Sequence, residues 1–530
     1  MSDPEPIYDD PSFHDQGVYA WGGHHPDRPA LISDATGESV TFGQLRRRAN
    51  SIADQLRALG IGAGDTVASW QYNSVAQWEF FTGALQLGVL VVPISTHLTG
   101  AEAEYILRDS GAKALVAAAE LAESIEATPT IPAEQRFVEG SGVDGWRPYT
   151  DLRDLGAADD PANRMAGSFM YYTSGTTGRP KGVRRSLLRI SPEVLAAGAG
   201  FFLAKFGIEG DPGVAMLFSP GYHAAPGANT WNALNRGFTV VILEKFEAEH
   251  VLRAIPKYGV TLINAVPTHI HRMLALPERV RADLDLSGLG HILVAGAKFA
   301  PALKARAIEY FGPVVWESFA ATEGFVCCVS PNEALERPGT VGRPDPDAIR
   351  IVGEDGADVG QGQSGTILFK SLGGTFDYHN DADKTAESVG ADGFINCGDI
   401  GYLDEDGYLY IQDRRVDLII TGGVNVYPAE VEQTLAEHPA VADVAVVGVP
   451  DPEWGQNVVA AVQLNPGYAA GDALAEELRV FSKERIAGPK VPRRIVFESV
   501  LPRTATGKMR RGEVRDALVN ASAASADPTS

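Results

Sequence analysis

Apolar positions return along the chain in two alternating rhythms. Leu45, Ala49, Ile52, Leu56 and Leu59 recur at helical spacing; Thr41 with Gln44 forms a capping box ahead of them and Gly60 stops the helix. Short continuous apolar runs, the mark of buried strands, follow at 67–70, 89–94 and 114–117, with helices expected near 75–87 and 99–110. The rhythm resumes with strands expected at 214–218, 239–243, 262–266, 292–295 and 314–318. Strand–helix alternation predicts a parallel sheet covered by helices. Ligands of such sheets gather beyond the carboxyl ends of the strands, where the turns 219–221, 295–297 and 322–324 fall.

After about residue 330 the pattern shortens to strands and turns, at 349–352, 365–370 and 401–411, with Asp404-Glu405-Asp406-Gly407 as a turn. This predicts a small β-rich unit. A charged run at 413–417 leads to a strand at 418–421, a helix opened by Pro428, strands at 444–449 and 458–464, a helix at 473–486 and a last strand at 494–497. The expected fold is therefore α/β: a large N-terminal domain of parallel and mixed sheets flanked by helices plus a small β-rich unit (1–413), a joint at 414–417, and a small α+β domain (418–530) whose Ala/Ser-rich tail, 521–530, is expected to be disordered.

Composition narrows the partners. The 530 residues are 45% hydrophobic and 21% charged, an ordinary globular balance, with a formal net charge of −23. That acidity argues against nucleic acid or an anionic membrane as a general partner, but leaves room for a nucleotide at a local basic site. Cys327, Cys328 and Cys397 form neither a disulfide framework nor a metal box. No signal peptide is read in 1–15, and no apolar run approaches the ~20 residues of a membrane helix, so a cytoplasmic protein with no integral membrane segment is expected. A homodimer is compatible with this reading.

The candidate chemistry starts at Thr173-Ser174-Gly175-Thr176-Thr177-Gly178-Arg179-Pro180-Lys181-Gly182, which follows an apolar run, 168–172, read as one strand. Four hydroxyls, three glycines and a lysine in ten positions suit a polyphosphate: glycines let backbone N–H groups face an anion, hydroxyls donate, and lysine adds charge. The order is not that of the common P-loop, because Arg179-Pro180 stands between Gly178 and Lys181. Two other motifs are weaker. Gly360 to Gly365 matches a dinucleotide fingerprint but is followed by a strand, so a hairpin turn is expected. His269 and His271, two apart on the helix that Pro267 starts, point to nearly opposite sides and are read as ordinary histidines. No Gly-x-Ser-x-Gly elbow supports a serine hydrolase.

Taken together, the motifs resemble the AMP-forming acyl-CoA synthetases of the adenylate-forming superfamily, which includes firefly luciferase and peptide-synthetase adenylation domains. The resemblance runs in the family's order from about residue 20 to about 515. It is carried by the loop 172–182, Phe319-Ala320-Ala321-Thr322-Glu323, Cys397-Gly398-Asp399, Asp413-Arg414, Gly422 to Glu430, and Pro502-Arg503-Thr504-Ala505-Thr506-Gly507-Lys508. The resemblance implies two half-reactions: a carboxylate attacks the α-phosphorus of ATP to give acyl-AMP and pyrophosphate, and the thiol of CoA then displaces AMP. It implies that Thr173, Ser174, Gly175, Thr176, Thr177, Gly178 and Lys181 hold the phosphates. Glu323 and Thr176 would serve Mg²⁺, a hard ion that takes oxygen ligands. Thr322 would hold the α-phosphate; Phe319, Gly296 and Ala297 the adenine; Asp399 and Arg414 the ribose; and Lys508 would bridge α-phosphate and carboxylate. The small domain is expected to rotate about a hinge at Val416, exchanging Lys508 for Gly422 and Gly423, which with Lys490 serve CoA. Departures from the family pattern are Val416 for Asp or Lys, Ala320 for Gly, Cys397 for Thr and Val424 for the frequent Glu.

The acyl pocket is expected at His223, Ala224, Ala225, Gly227 and Ala320, with His223 as a gate. Its small residues suit a bulky apolar acid. Amino-acid-activating relatives place an Asp near here and none stands in this segment, while fatty, aromatic and steroid-like acids all remain open. Two other classes stand beside the CoA ligase: an adenylating enzyme that passes the acyl group to an amine or carrier protein, and a non-catalytic nucleotide-binding relative, against which Lys181, Glu323 and Lys508 speak.

Overall fold

The computed structural model describes residues 7–125, 130–157, 159–173, 180–371, 375–414, 417–421, 424–451, 454–504 and 509–525. The chain divides into two compact units. The first comprises Met1–Ala295, Ala307–Pro331 and Ser371–Val389; the second comprises Gly296–Arg306, Asn332–Lys370 and Gly390–Ser530. The second unit thus contains both the β-rich region and the C-terminal α+β region.

Two large sheets organise the first unit. A six-stranded sheet is wholly parallel, in the order Arg147–Pro148, Arg136–Glu139, Ala114–Ala118, Thr66–Trp70, Leu90–Pro93, Ser168–Phe169. Its central strand, Thr66–Trp70, is buried along its whole length, which explains an apolar run without alternation. An eight-stranded sheet runs Gly324–Val329, Val315–Ala321, His291–Val294, Leu262–Ala265, Val214–Leu217, Thr239–Ile242, Pro29–Ser33, Ser39–Thr41, parallel inside and antiparallel at both edges. The helix Phe42–Ala58 carries the expected capping box: Gln44 N donates to Thr41 Oγ1 at 3.2 Å and Thr41 N to Gln44 Oε1 at 2.8 Å. Gly60 closes it at φ +76°. On the helix Pro267–Leu274, His269 is buried and His271 exposed, as their spacing requires.

The run 168–172 is not one strand. Ser168–Phe169 completes the six-stranded sheet, whereas Tyr171–Thr173 pairs antiparallel with Lys181–Arg185, which pairs in turn with Phe376–Tyr378. Met170 is the crossing point: it is fully buried and its N–H still donates to Val91 O at 2.8 Å. A continuous apolar run does not reveal that its hydrogen-bonding partner changes midway.

The second unit holds two five-stranded sheets. One is antiparallel, in the order Thr340–Gly342, Leu409–Arg414, Ile395–Leu403, Gly365–Phe369, Ile349–Val352. The glycines of 360–365 form the expected turn, with Gly362 at φ +75° and a strand, not a helix, after it. In the other, Gly455–Leu464 pairs with Val441–Asp451, Ile419–Thr421 and, in parallel, Arg494–Phe497, while Val424–Val426 adds to Ile419–Thr421. A helix, Arg511–Ser525, extends into the tail expected to be disordered. Alanine is the strongest helix former, and Val514 and Leu518 bury against the strand core that includes Ala445 and Val447. Residues 526–530 lie outside the described residues.

Candidate functional site

The three-stranded sheet positions the first group of residues. Its register pairs Thr173 with Lys181, Tyr171 with Val183, Tyr378 with Val183, and Phe376 with Arg185. Side chains alternate along a strand, and directly opposed residues share a face. Thr173, Lys181, Val183, Arg185, Tyr171, Phe376 and Tyr378 therefore lie on one face, and Tyr172, Gly182 and Arg184 on the other. Lys181, first in its strand, pairs its ammonium with Asp381 Oδ2 at 2.5 Å. Asp381 also caps the helix Ala382–Ser388 by accepting from Lys384 N at 2.9 Å. The Lys181 ammonium foremost, with that helix N–H, holds the Asp381 carboxyl below its ordinary range. Ser174, Gly175, Thr176, Thr177 and Gly178 lie outside the described residues.

Thr322 and Glu323 form the turn between the antiparallel strands Val315–Ala321 and Gly324–Val329. Glu323 is buried, and its Oε1 accepts from the Tyr378 hydroxyl at 2.6 Å. The Thr322 carbonyl accepts from Arg185 Nη2 at 3.1 Å. Burial pulls the Arg185 guanidinium below its ordinary pKa, with the Glu323 charge opposing that shift. One buried carboxylate held by a neutral hydroxyl suits Mg²⁺, which binds through one or two carboxylates and substrate phosphates rather than an all-protein cage. Among the described residues no group of three His, Cys, Asp or Glu side chains is placed to hold a metal. Phe319 is half-buried and Ala320 exposed, on either side of a register shift in the strand.

His223 is the N-terminal flanking residue of the helix Ala224–Asn235, whose first turn contains Ala224, Ala225 and Gly227. Its Nε2 is buried without a partner. Burial, with His97 adding to it, lowers its pKa to about 4, so the ring is neutral at pH 7. Gly227 is required by close approach: a Cβ there would stand 2.6 Å from the Tyr171 hydroxyl and 2.6 Å from Gly221 O.

In the second unit, Gly296 follows the strand His291–Val294 at φ +85°, a backbone that glycine adopts without strain, with Ala297 next. Asp399 is buried, follows Gly398 at φ +79°, and its backbone opposes that of Arg414 in the hairpin. Lys490 binds both oxygens of Glu430, at 2.7 and 2.8 Å, so a CoA phosphate would compete with that pair. Val416, Gly422, Gly423 and Lys508 lie outside the described residues.

Residues 18–378 match the family model of the AMP-binding enzyme, and 430–508 that of the AMP-binding enzyme C-terminal domain. The chain belongs to the AMP-binding enzymes. Among curated relatives of this AMP-binding enzyme, a fatty acid–[acyl-carrier-protein] ligase, ScoC, of Streptomyces coeruleorubidus is 32% identical over 520 residues, 95% of either chain. A long-chain-fatty-acid–CoA ligase, FadD13, of Mycobacterium tuberculosis is 32% identical over 505 residues, 93% of this chain and 95% of that one. Among solved structures, the anthranilate CoA ligase AuaEII in complex with anthranoyl-AMP superposes with a TM-score of 0.83 at 26% identity, covering 98% of this chain and 99% of that one.

Sequence reasoning missed four residues of this AMP-binding enzyme: Asp381, Tyr378, Arg185 and Tyr171. The first two lie roughly 200 residues beyond Lys181 and reach it only through the pairing of Phe376–Tyr378 with Lys181–Arg185. Arg185 did leave a signal, because its spacing of four from Lys181 puts both cations on one strand face.

Proposed function

We propose that the chain is an ATP-dependent carboxylate–CoA ligase that adenylates a hydrophobic carboxylic acid and transfers the acyl group to CoA, releasing AMP. The carrying observation is the shared sheet face on which Lys181, at the head of its strand beside the hydroxyl- and glycine-rich loop, lies with Tyr378, whose hydroxyl holds Glu323. In this reading a phosphate displaces Asp381 from Lys181, and the ammonium then carries charge for the leaving pyrophosphate. Bound Mg²⁺ would neutralise phosphate charge during the attack; Glu323, fixed by Tyr378, would hold it, with Thr176. Thr322 would orient the α-phosphate, Phe319 and the 296–297 turn the adenine, and Asp399 with Arg414 the ribose. Lys508 would bring the carboxylate onto the α-phosphorus. Residues 1–413 and 418–530 would then reorient about 414–417, replacing Lys508 by Gly422 and Gly423 for thioester formation.

The carrier-protein ligase among the relatives favours a second reading, transfer of the acyl group to a carrier protein rather than CoA. One experiment separates them: pyrophosphate exchange over a broad acid panel, repeated with CoA. Consumption of acyl-AMP on adding CoA supports the first reading. Persistence of acyl-AMP with CoA, and its loss on adding a phosphopantetheinylated carrier protein, supports the second. No exchange with any acid overturns both.

A further inference from the structure

Among the polar atoms of the described residues that are buried without a partner are the Tyr171 hydroxyl, Arg185 Nη1 and His223 Nε2. The elements that carry them adjoin. The Tyr171 hydroxyl reaches the first turn of the helix Ala224–Asn235, where Gly227 N donates to His223 O at 2.9 Å. Tyr171 and Arg185 share a sheet face and couple electrostatically. Buried donors are ordinarily satisfied, because an orphan forfeits its hydration. A guanidinium has donors only. Arg185 Nη2 is spent on the Thr322 carbonyl, and its charged neighbour Glu323 is engaged by Tyr378. The donor left over at Nη1 calls for an oxygen acceptor that the described protein residues do not supply. Gly227 is placed where any side chain would run into the Tyr171 hydroxyl, which keeps that hydroxyl open to a ligand.

We propose that Arg185, with Tyr171, is a specificity-determining residue that selects acids carrying a second oxygen acceptor, a keto oxygen or a second carboxylate, away from the carboxylate that is adenylated. The proposal rests on the ligase reading and narrows the expected apolar acid to one with a distal polar group. It differs from the gate expected at His223, since the selecting donors lie on the two strands that flank the hydroxyl- and glycine-rich loop.

The test uses the full-length protein and matched pairs of acids: an oxo-acid or a dicarboxylic acid, each against its analogue with methylene or methyl in that position. Pyrophosphate exchange yields kcat/KM for wild type, Arg185→Met and Tyr171→Phe, and the quantity read is the ratio within each pair, which a general loss of folded enzyme does not move. The wild type is expected to favour the oxygenated member by about 10- to 100-fold, the worth of a hydrogen bond from a charged donor. Arg185→Met is expected to bring the ratio near one. Tyr171→Phe, which removes a single oxygen atom, lowers it several-fold and keeps the test alive if the arginine variant does not fold. A carboxylate arm more sensitive to Arg185 than the keto arm identifies an anionic group; equal sensitivity identifies a neutral one. A wild-type ratio near one in every pair, or ratios unchanged in both variants, overturns the proposal while exchange itself leaves the ligase reading standing. Exchange with no acid overturns the ligase reading and this proposal with it.

Discussion

Replacing Tyr378 by Phe removes one oxygen atom and leaves the ring in place, where it meets Phe376 edge-on with centroids 5.3 Å apart. That oxygen donates to Glu323 Oε1 at 2.6 Å, and Glu323 is 8% exposed, so water does not easily replace the lost donor. A hydrogen bond to an ionised acceptor contributes about 1.5–3 kcal/mol. Part of that loss falls on the folded state, lowering the thermal midpoint by a few degrees. On the proposed reading a separate cost falls on catalysis, because Glu323 is then no longer held where it would serve Mg²⁺. A penalty of about 1.4–2.8 kcal/mol in the transition state corresponds to a 10- to 100-fold fall in kcat/KM for pyrophosphate exchange. The Mg²⁺ concentration for half-maximal exchange is expected to rise about tenfold, following the lost bond to its carboxylate. The assay is exchange with the best acid of the panel, titrated with Mg²⁺ at fixed ATP, beside thermal unfolding of the free protein. Wild-type exchange with an unchanged Mg²⁺ midpoint would refute the idea that this hydroxyl positions Glu323.

Lys508→Ala is expected to lower adenylation by roughly 100- to 1000-fold, the loss of one preorganised charge at a phosphoryl centre; near wild-type pyrophosphate exchange in the variant removes that lysine from the mechanism. Gly227→Ala drives a Cβ to 2.6 Å from both the Tyr171 hydroxyl and a backbone carbonyl, so a loss of about 1–3 kcal/mol in denaturant unfolding is expected. Tyr171→Phe in the same chain recovers only part of it, since the Gly221 carbonyl remains. Burial lowers the pKa of His269 to about 3, and its ring stacks on Phe246 at 4.1 Å. Unfolding returns it to its ordinary value near 6.5, so the unfolded chain takes the proton first. The stability it contributes is complete above pH 6.5 and falls by about 2 kcal/mol at pH 5. His269→Gln is expected to flatten that stretch of the curve, and an unaltered pH dependence in the variant contradicts the assignment.

What was legible in the sequence was what short-range chemistry decides. The Thr41–Gln44 box, the Gly60 stop and the buried strand Thr66–Trp70 depend on neighbours within a few residues, and each appears where the pattern put it. The candidate residue types could be named for the same reason, since Lys181 in a glycine- and hydroxyl-rich loop and Glu323 in a turn carry their chemistry with them. Their partners were not. Nothing near Lys181 in the chain announces Asp381, and nothing near Glu323 announces Tyr378; both depend on a strand pairing that no local pattern encodes. The switch of partner at Met170 was hidden because burial on either side looks alike to a hydropathy pattern.

That same pairing explains why a glycine stands at position 182, on the sheet face opposite the candidate site. A slip of one residue in a strand turns every side chain to the opposite face, and here it would carry both Lys181 and Arg185 away from Thr173 and Tyr378. The register is held from the far face: a Cβ at Gly182 would stand 3.1 Å from the Tyr172 ring and 3.3 Å from His379, while the Tyr172 hydroxyl is anchored on Asp109 at 2.6 Å. With the strand so fixed, residues two apart are about 6.6 Å apart along it. Lys181 heads it, Val183 opposes the tyrosine that holds Glu323, and Arg185 ends it about 13 Å from Lys181. On the proposed reading that order is the order of the substrates, with the leaving phosphates at one end, the metal carboxylate in the middle and the distal group of the acid at the other. One short strand therefore sets the spacing between nucleotide and acid, and Arg185 is the position at which the choice of acid is read.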